Sequence, residues 1–319
     1  MKNRLNQLGK QKIPFLFVID FDVQHFYVAP LDKLDRHILF SMAGFSNVNQ
    51  KSSLNNPNPS FHLKKKAISF AKYSAAFNRV INEMIEGNTY LLNLTFPTNI
   101  KVNATLLDIY LSSQAPFKLY FKDRFVTFSP ERFIKIQNNL IKTFPMKGTI
   151  DARLPNARET ILSDDKEKAE HTMVVDLLRN DLSMVAKHVR VNQFRYLDKI
   201  KAGPKELLQV SSEISGILEN SWPEKIGDIL LALLPAGSIT GAPKRKTVEI
   251  IHAVEGYQRG FFTGIFGYFD GQQLDSAIMI RFIEKQGDQM IYKSGGGITI
   301  DSDITKEYQE MLDKVYIPT

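Results

Sequence analysis

The stretch Thr263–Lys293, TGIFGYFDGQQLDSAIMIRFIEKQGDQMIYK, decides the fold class. It contains three runs rich in β-branched and aromatic residues, Thr263–Phe269, Ser276–Glu284 and Met290–Lys293, which are typical of strands. Short polar segments with Gly and Asp separate the runs and predict turns. Because short turns join antiparallel neighbours, this stretch predicts an antiparallel sheet.

The strand pattern continues upstream and alternates with helical periodicity. Strands are predicted at Pro14–Asp20, His25–Val28, Tyr90–Thr95, Lys118–Phe121, Phe125–Phe128, Phe133–Gln137 and Leu140–Phe144, with a tight turn at Asn138-Asn139. Helices are predicted over Leu63–Glu86, Asp164–His188, Glu224–Leu234, Pro243–Glu255 and Thr305–Tyr316. Together these elements predict an α/β fold of the α+β type, with antiparallel sheets covered by helices.

The composition excludes several classes of protein. Hydrophobic residues make up 43% of the 319 residues and charged residues 24%, as in globular proteins. The net charge is +7, but the basic residues are spread out, so no nucleic-acid partner is predicted. The basic run Lys64–Lys66 is interpreted as a solvated surface. Apolar stretches such as Gly227–Ala236 are too short to cross a bilayer, so no membrane contact is predicted.

Cysteine is absent from the chain. Disulfides, thiolate metal sites and a cysteine nucleophile are therefore excluded. This usage suits a reducing compartment, and we expect a cytoplasmic protein. Asn47–Pro59 is rich in Asn, Ser and Pro and is predicted to be a surface loop.

Two sets of carboxylates stand at helical spacing. Glu167 and Glu170 are three residues apart, and Glu307, Glu310 and Lys314 share one face of the final predicted helix. A hard cation such as Mg²⁺ between the two helices would relieve the repulsion, because it prefers oxygen ligands. Glutamates at this spacing are also ordinary on exposed helices, so spacing alone leaves both interpretations open.

Three further features suggest contacts to an anion. Tyr292–Gly297 ends a strand with three glycines, whose backbone N–H groups could cradle a carboxylate or simply form a sharp turn. Gly237–Lys244 precedes a helix, whose N-terminus favours anions. Arg281 ends an apolar run, where a charged group needs a partner. Asp164 and Asp303 are predicted helix N-caps.

Taken jointly, the motifs resemble one family, the chorismate-utilizing enzymes. This family includes aminodeoxychorismate synthase component I, anthranilate synthase component I, isochorismate synthases and salicylate synthases. The matching stretches are Ser129–Phe133, Lys147–Thr149, Glu167–His171, Val175–Leu182, Pro235–Lys244, Arg259–Tyr268, Ile280-Arg281, Gly295–Gly297 and Glu307–Glu310 with Lys314. They occur in the family's order across roughly the last 200 residues.

The resemblance implies one domain over residues 1–319, with a layered, mostly antiparallel β core surrounded by helices. Its N-terminal part, about residues 1–60, is shorter than in longer relatives, and the motif-rich catalytic part covers about residues 61–319. The resemblance also implies Mg²⁺ as cofactor. The four glutamates would hold it, Glu170 and Glu310 most closely, and Glu167 and Glu307 through waters.

The substrate implied is chorismate. The residues expected to bind it are Arg281, Gly295, Gly296, Gly297 and Lys314 at its carboxylates, Ser238 beside its ring, and Phe262 and Gln209 in the pocket. Phe262 stands where many relatives have Tyr. Gln209 stands where anthranilate synthases have a His that aids pyruvate loss, which suggests a product that keeps its enolpyruvyl group.

The segment Pro145–Thr149, PMKGT, resembles the aminodeoxychorismate synthase branch, whereas anthranilate synthases have Ala at the position of Lys147. The resemblance implies that the Lys147 amine adds at C2 of chorismate as the C4 hydroxyl departs. Ammonia then enters at C4 and expels the lysine, which yields 4-amino-4-deoxychorismate. Burial of such an amine is expected to lower its pKa and favour attack.

The resemblance therefore implies the activity of an aminodeoxychorismate synthase component I, in 4-aminobenzoate and folate synthesis. Leu91 stands where isochorismate and salicylate synthases have the Lys that activates water, so water addition is disfavoured. The alternatives are anthranilate synthase component I and a non-catalytic chorismate-binding protein. Since the chain has no cysteine for glutamine hydrolysis, a glutamine amidotransferase subunit is the expected partner that supplies ammonia.

Overall fold

The computed structural model describes residues 1–42, 44–48, 61–202 and 205–319, so most of the predicted loop Asn47–Pro59 lies outside the described residues. The strands are β1 (Phe15–Ile19), β2 (Phe26–Pro30), β3 (Ile38–Met42), β4 (Phe45–Ser46), β5 (Lys64–Lys66), β6 (Leu91–Lys101), β7 (Phe117–Phe121), β8 (Phe125–Ser129), β9 (Arg132–Gln137), β10 (Leu140–Thr143), β11 (Met146–Asp151), β12 (Lys187–Ala202), β13 (Lys205–Ile217), β14 (Gly241–Ala242), β15 (Ile265–Phe269), β16 (Leu274–Ile278), β17 (Phe282–Gln286) and β18 (Gln289–Ile298). The helices are α1 (Lys2–Lys10), α2 (Phe70–Ile85), α3 (Leu106–Ser112), α4 (Ala157–Ser163), α5 (Asp165–Ser183), α6 (Ile226–Leu233), α7 (Lys244–Glu255) and α8 (Ile304–Asp313).

Within the described residues, the strands form two antiparallel sheets of nine strands each. The first sheet has the order β11-β13-β10-β9-β16-β15-β1-β2, and β12 also pairs with β13. The second sheet has the order β14-β6-β18-β17-β8-β7-β3-β4, and β5 also pairs with β6. The predicted fold class, antiparallel sheets with surrounding helices, is confirmed.

Strand β1 has an unbroken apolar sequence because both of its faces are buried. Phe15, Phe17 and Ile19 pack with residues of α1, α2, α6 and α7. Leu16 and Val18 pack with residues of β3, β7 and β17, between the two sheets. Burying each such side chain contributes about 1.5–3 kcal/mol. Strand β1 therefore joins the core beneath the helices to the core between the sheets.

The predicted helix Leu63–Glu86 begins later than expected. Lys64–Lys66 forms β5, which pairs with Lys101 to Asn99 of β6, and its three side chains are exposed as predicted. The helix begins at Phe70, because Ser69 caps it by accepting a hydrogen bond from the Lys72 N–H at 3.3 Å. Its end is as predicted, since Gly87 has the left-handed φ of +76° that is common after a helix.

The predicted helix Asp164–His188 ends early, at Ser183, and two long strands after it, β12 and β13, were not predicted. Strand β12 has register shifts against β13, and His188 and Arg195 have positive φ there. Each shift interrupts the period-two alternation of a strand, because an extra residue turns the following side chains to the other face. The sequence pattern therefore did not reveal these strands.

The predicted strand Ser276–Glu284 is two strands in different sheets. Strand β16 in the first sheet ends at Ile278, and β17 in the second sheet begins at Phe282. Arg281 has φ +52° at this crossing. Arg281 thus stands where the chain passes from one sheet to the other. In the described part of the chain, no helix has the length and apolarity needed to span a membrane.

Candidate functional site

A cavity of about 460 Å³ collects segments from both sheets and from helices α5 and α8. Most predicted site residues line it: Lys147, Glu167, Glu170, Gln209, Ser238, Phe262, Arg281, Gly295, Gly297, Glu310 and Lys314. Glu307 and Gly296 are not part of its lining and lie beside Glu310. The structure therefore brings together residues that are up to 167 positions apart in the sequence, from Lys147 to Lys314.

A β-bulge places Lys147 in the cavity wall. The pairing of β11 with β13 shifts register between Met146 and Thr149, so one extra residue is inserted in β11. Bulges of this kind redirect side chains beside functional sites. Gly148 takes the left-handed φ of +86°, and a Cβ on it would lie 3.1 Å from Oε2 of Glu167. Glycine is therefore needed here for both the backbone turn and the space.

The Lys147 ammonium forms an ion pair with Glu170, with 2.6 Å between Nζ and Oε2. Burial lowers the pKa of Lys147, but the charges of Glu170, Glu167 and Glu310 outweigh it, and the pKa is raised. The expectation of a lowered pKa is therefore wrong for this arrangement. The reason is that the sequence did not reveal how many carboxylates surround the amine.

Helix α5 positions Glu167 and Glu170 on one face. As predicted, Asp164 caps this helix, accepting a hydrogen bond from the Glu167 N–H at 2.9 Å. Burial raises the pKa of Glu167. Its Oε2 is buried and has no hydrogen-bond partner among the described residues. A buried carboxylate oxygen in this position needs a proton or a cation.

Helix α8 positions the second pair of glutamates. The Lys314 ammonium lies 2.5 Å from Oε1 of Glu310. Ser302 donates a 2.9 Å hydrogen bond to Oε1 of Glu307. The remaining oxygen of Glu307 and Oε1 of Glu310 each lie 3.4 Å from where a Cβ on Gly296 would stand. Glycine at 296 therefore leaves room for these two side chains over strand β18.

The four glutamates suit a divalent cation chemically. Magnesium prefers carboxylate oxygens, and the unpaired oxygen of Glu167 is one such donor. Among the described residues, however, no group of three or more His, Cys, Asp or Glu side chains lies close enough together to hold a metal ion. Ammonium groups of Lys147 and Lys314 contact two of the carboxylates instead. The predicted magnesium site therefore stays a prediction, and binding would require these contacts to open.

The carboxyl group of Glu131 lies in the cavity wall, although no role was predicted for it from the sequence. Ser238 donates a hydrogen bond of 2.6 Å to its Oε1. Burial raises the pKa of Glu131, opposed by this hydrogen bond and by the charges of Lys314 and Arg281. A carboxyl with a raised pKa in a cavity can donate a proton. The only sequence signal was its place in the matching stretch Ser129–Phe133.

Arg281 has the features of an anion-binding group. Its guanidinium lies over the ring of Tyr316, 5.2 Å from the ring centroid. Its Nε is buried and has no hydrogen-bond partner among the described residues. Arg281 lines the cavity together with Gly295 and Gly297, and a guanidinium with an unused donor suits a negatively charged ligand.

A buried ion pair that was not predicted from the sequence supports residues of the cavity wall. The Arg259 side chain is 1% exposed and donates to both carboxylate oxygens of Glu255, at 2.9 and 2.6 Å. It also donates to the carbonyls of Ile239, at 3.0 Å, and Asn93, at 2.6 Å. Arg259 thereby links helix α7, strand β6 and the turn that carries Ser238.

The residues that depart from family patterns also lie in the wall. Gln209 sits on β13 opposite Thr149, next to the bulge. Phe262 is buried among residues of both sheets. Leu91 begins β6 and contributes an apolar side chain.

Comparison with known proteins places the chain among relatives. Residues 23–319 match the model of a family described as chorismate binding enzymes. An uncharacterized PabA-like protein of Pasteurella multocida is 51% identical over 314 residues, which cover 98% of this chain and 96% of that protein. Aminodeoxychorismate synthase component 1 of Bacillus subtilis is 31% identical, and the match covers 76% of this chain and 54% of that protein. Anthranilate synthase component 1 of Archaeoglobus fulgidus is 32% identical, and the match covers 76% of this chain and 60% of that protein.

Solved structures agree on the fold. The menaquinone-specific isochorismate synthase of Escherichia coli superposes with a TM-score of 0.74 at 17% identity, covering 98% of this chain and 79% of that chain. Anthranilate synthase component I of Streptococcus pneumoniae superposes with a TM-score of 0.69 at 26% identity. This match covers 82% of this chain and 59% of that chain. Since synthases with different products match about equally well, overall similarity does not distinguish the product.

Proposed function

Since the chain belongs to the family of chorismate-binding enzymes, we propose that it is an aminodeoxychorismate synthase component I, which converts chorismate and ammonia to 4-amino-4-deoxychorismate. The observation that carries this proposal is the position of Lys147, whose amine lies in the cavity beside Glu170. An amine nucleophile in the substrate cavity is the feature that separates this branch from anthranilate synthases.

Substrate binding is assigned to the cationic and glycine-rich walls. Arg281 and Lys314 would pair with the two carboxylates of chorismate, and the backbone at Gly295 and Gly297 would approach the substrate closely. Glu167, Glu170, Glu307 and Glu310 would hold Mg²⁺. The ion would offset their negative charge and polarise the ring carboxylate.

The reaction proceeds by two substitutions. As the free amine, Lys147 adds to C2 of the ring, the two ring double bonds each shift by one position, and the C4–oxygen bond breaks. Glu131 donates its proton to the departing hydroxyl, which leaves as water. Ammonia then adds at C4 and gives a proton back to the Glu131 carboxylate. The ring double bonds return to their first positions as the bond between C2 and the Lys147 nitrogen breaks, which releases the lysine amine. The hydroxyl is exchanged for an amino group, and the enolpyruvyl group is kept.

The ammonia source is proposed to be a glutamine amidotransferase subunit. The chain has no cysteine to act as the nucleophile of glutamine hydrolysis. The product would feed 4-aminobenzoate and folate synthesis in the cytoplasm, after a separate lyase removes the enolpyruvyl group. Glutamine-dependent turnover that appears only when a cognate glutaminase is added would support this partner. Failure of every cognate glutaminase would refute it.

The product formed from chorismate tests the proposal. The protein is incubated with chorismate, Mg²⁺ and ammonium, and products are identified by mass spectrometry while released pyruvate is measured by an enzyme-coupled assay. We expect 4-amino-4-deoxychorismate without pyruvate. Replacing Lys147 with Ala should reduce its formation by about 100-fold or more, because the covalent route is lost.

A matched lysine variant provides the control. Lys142 pairs with Glu213 at 2.9 Å and does not line the cavity, so Lys142→Ala should keep the wild-type rate. Anthranilate with an equal amount of pyruvate would instead identify an anthranilate synthase. Chorismate binding without any product would identify a non-catalytic binding protein. Either result would overturn the proposal.

A further inference from the structure

Two lysines of the cavity contact the carboxylates assigned to the metal ion. Lys147 Nζ lies 2.6 Å from Glu170 Oε2, and Lys314 Nζ lies 2.5 Å from Glu310 Oε1. Both are direct ion-pair contacts, and both glutamates are among the assigned ligands. An ammonium group and a divalent cation repel each other, so they do not share one carboxylate oxygen at contact distance.

The surroundings of the two lysines differ. The Lys314 ammonium also donates a 2.9 Å hydrogen bond to the carbonyl of Gly295, which retains it in the wall when Glu310 turns away. The Lys147 side chain lies in the bulge of strand β11 and reaches across to Glu170 on helix α5. Among the described residues, the contact of the Lys147 ammonium is with Glu170, so of the two lysines it is the one whose position depends on its carboxylate partner.

We propose that Lys147 serves as an internal counter-cation that occupies Glu170 until a divalent cation displaces it, so that metal binding and release of the Lys147 amine are one coupled event. This inference rests on the assignment of the glutamates to a metal in the proposed function. It explains why the described carboxylates converge on one cavity yet are not grouped to enclose an ion. It also gives the amine a second task besides attack on the substrate.

The coupling has a functional consequence. While Lys147 is paired with Glu170, its nitrogen is engaged by that carboxylate and not by the substrate. Entry of the divalent cation removes this partner, so the nucleophile becomes available only in the metal-loaded site. Since coupling is reciprocal, removing the lysine must also change the affinity for the cation.

The first test measures Mn²⁺ affinity, without chorismate or ammonia, by electron paramagnetic resonance of the free ion. Removal of the competing ammonium in Lys147→Met should tighten the dissociation constant by about tenfold. Lys142→Met removes a lysine from an ion pair of similar length outside the cavity and should leave the affinity unchanged. Equal affinities for Lys147→Met and wild type would overturn the proposal. So would equal tightening in both variants, since that would be an effect of net charge alone.

The second test uses the wild-type protein, so it does not depend on the folding of a variant. The protein is treated briefly with acetic anhydride with and without Mg²⁺, and acetylation of each lysine is quantified by mass spectrometry. We expect Mg²⁺ to increase acetylation of Lys147 by about fivefold and to leave Lys142 unchanged. Unchanged or reduced labelling of Lys147 would refute the displacement. Neither readout involves turnover, so failure here leaves the product assignment intact, and an unexpected product leaves the displacement intact.

Discussion

The hydroxyl of Ser238 donates a 2.6 Å hydrogen bond to the Glu131 carboxyl group, joining two residues that are 107 positions apart in the sequence. Ser238 comes from the short turn before β14, and Glu131 comes from the connection between β8 and β9. The Glu131 carboxyl group, whose pKa is raised, lines the same cavity as the Lys147 amine. The site thus contains a candidate proton donor and a candidate nucleophile.

Replacing Glu131 with Gln tests the proton donor. The amide keeps the size of the side chain and can still contact Ser238, but it cannot protonate the departing hydroxyl. Turnover should fall by about 100-fold or more, as is typical for loss of general acid catalysis, whereas KM should change little. Steady-state kinetics with ammonium as nitrogen source give both values. A turnover number within about threefold of wild type would exclude this role.

The pH dependence of turnover in Ser238→Ala tests the same pair. The hydrogen bond from Ser238 lowers the pKa of Glu131, because it stabilises the charged form. Its removal should raise that pKa further. If protonated Glu131 is the active form, turnover is lost as pH rises through its pKa, so the alkaline loss should move to higher pH in the variant. A shift toward lower pH, or no shift, would contradict the assignment.

Gly148→Ala and Gly256→Ala form a matched pair of glycine variants. Both positions have positive φ, +86° and +66°, so each substitution should reduce the free energy of unfolding by about 1–2 kcal/mol in urea titrations. A Cβ at 148 would lie 3.1 Å from Oε2 of Glu167, whereas nothing lies within 4 Å of a Cβ at 256. Turnover should therefore fall strongly only in Gly148→Ala. Equal turnover in the two variants would show that the bulge does not position the site.

The stability of the protein should depend on pH through His171. This side chain is fully buried and its Nε2 lies 2.7 Å from the Ser212 hydroxyl. Burial and the charge of Arg195 lower its pKa to about 4, whereas the unfolded value is about 6.5. Between these values the unfolded chain binds more protons, so stability falls as pH falls. From pH 7 to pH 5 this group should remove about 2 kcal/mol from the free energy of unfolding.

The control for this effect is His171→Gln, which does not titrate in this range. Urea unfolding of both proteins at pH 5, 6 and 7 gives the difference that belongs to His171, because the other titrating groups are common to both. The stability of the wild type should fall more steeply than that of the variant. Identical dependence on pH in the two proteins would indicate that His171 is not held neutral in the folded state.

Local features were predictable from the sequence because they depend on neighbouring residues. Asp164 and Asp303 cap helices α5 and α8, and the tight turn Asn138-Asn139 has positive φ at both residues. The face shared by Glu167 and Glu170 follows from helical geometry alone. The register shifts between β12 and β13 interrupt the alternation of side chains by which strands are recognised, so these two strands were not predicted.

Chain periodicity and side-chain hydrogen bonds to nearby backbone act over a few residues, so the amino-acid sequence by itself determined the antiparallel class, the helix caps and the residue types available for chemistry. Only the tertiary structure decided that Lys147 points at Glu170, that Arg281 stands at a crossing between sheets, and that Glu131 meets Ser238. It also decided the direction of the Lys147 pKa shift. That direction depends on the balance between burial and several carboxylates, and these reach the amine from distant parts of the chain.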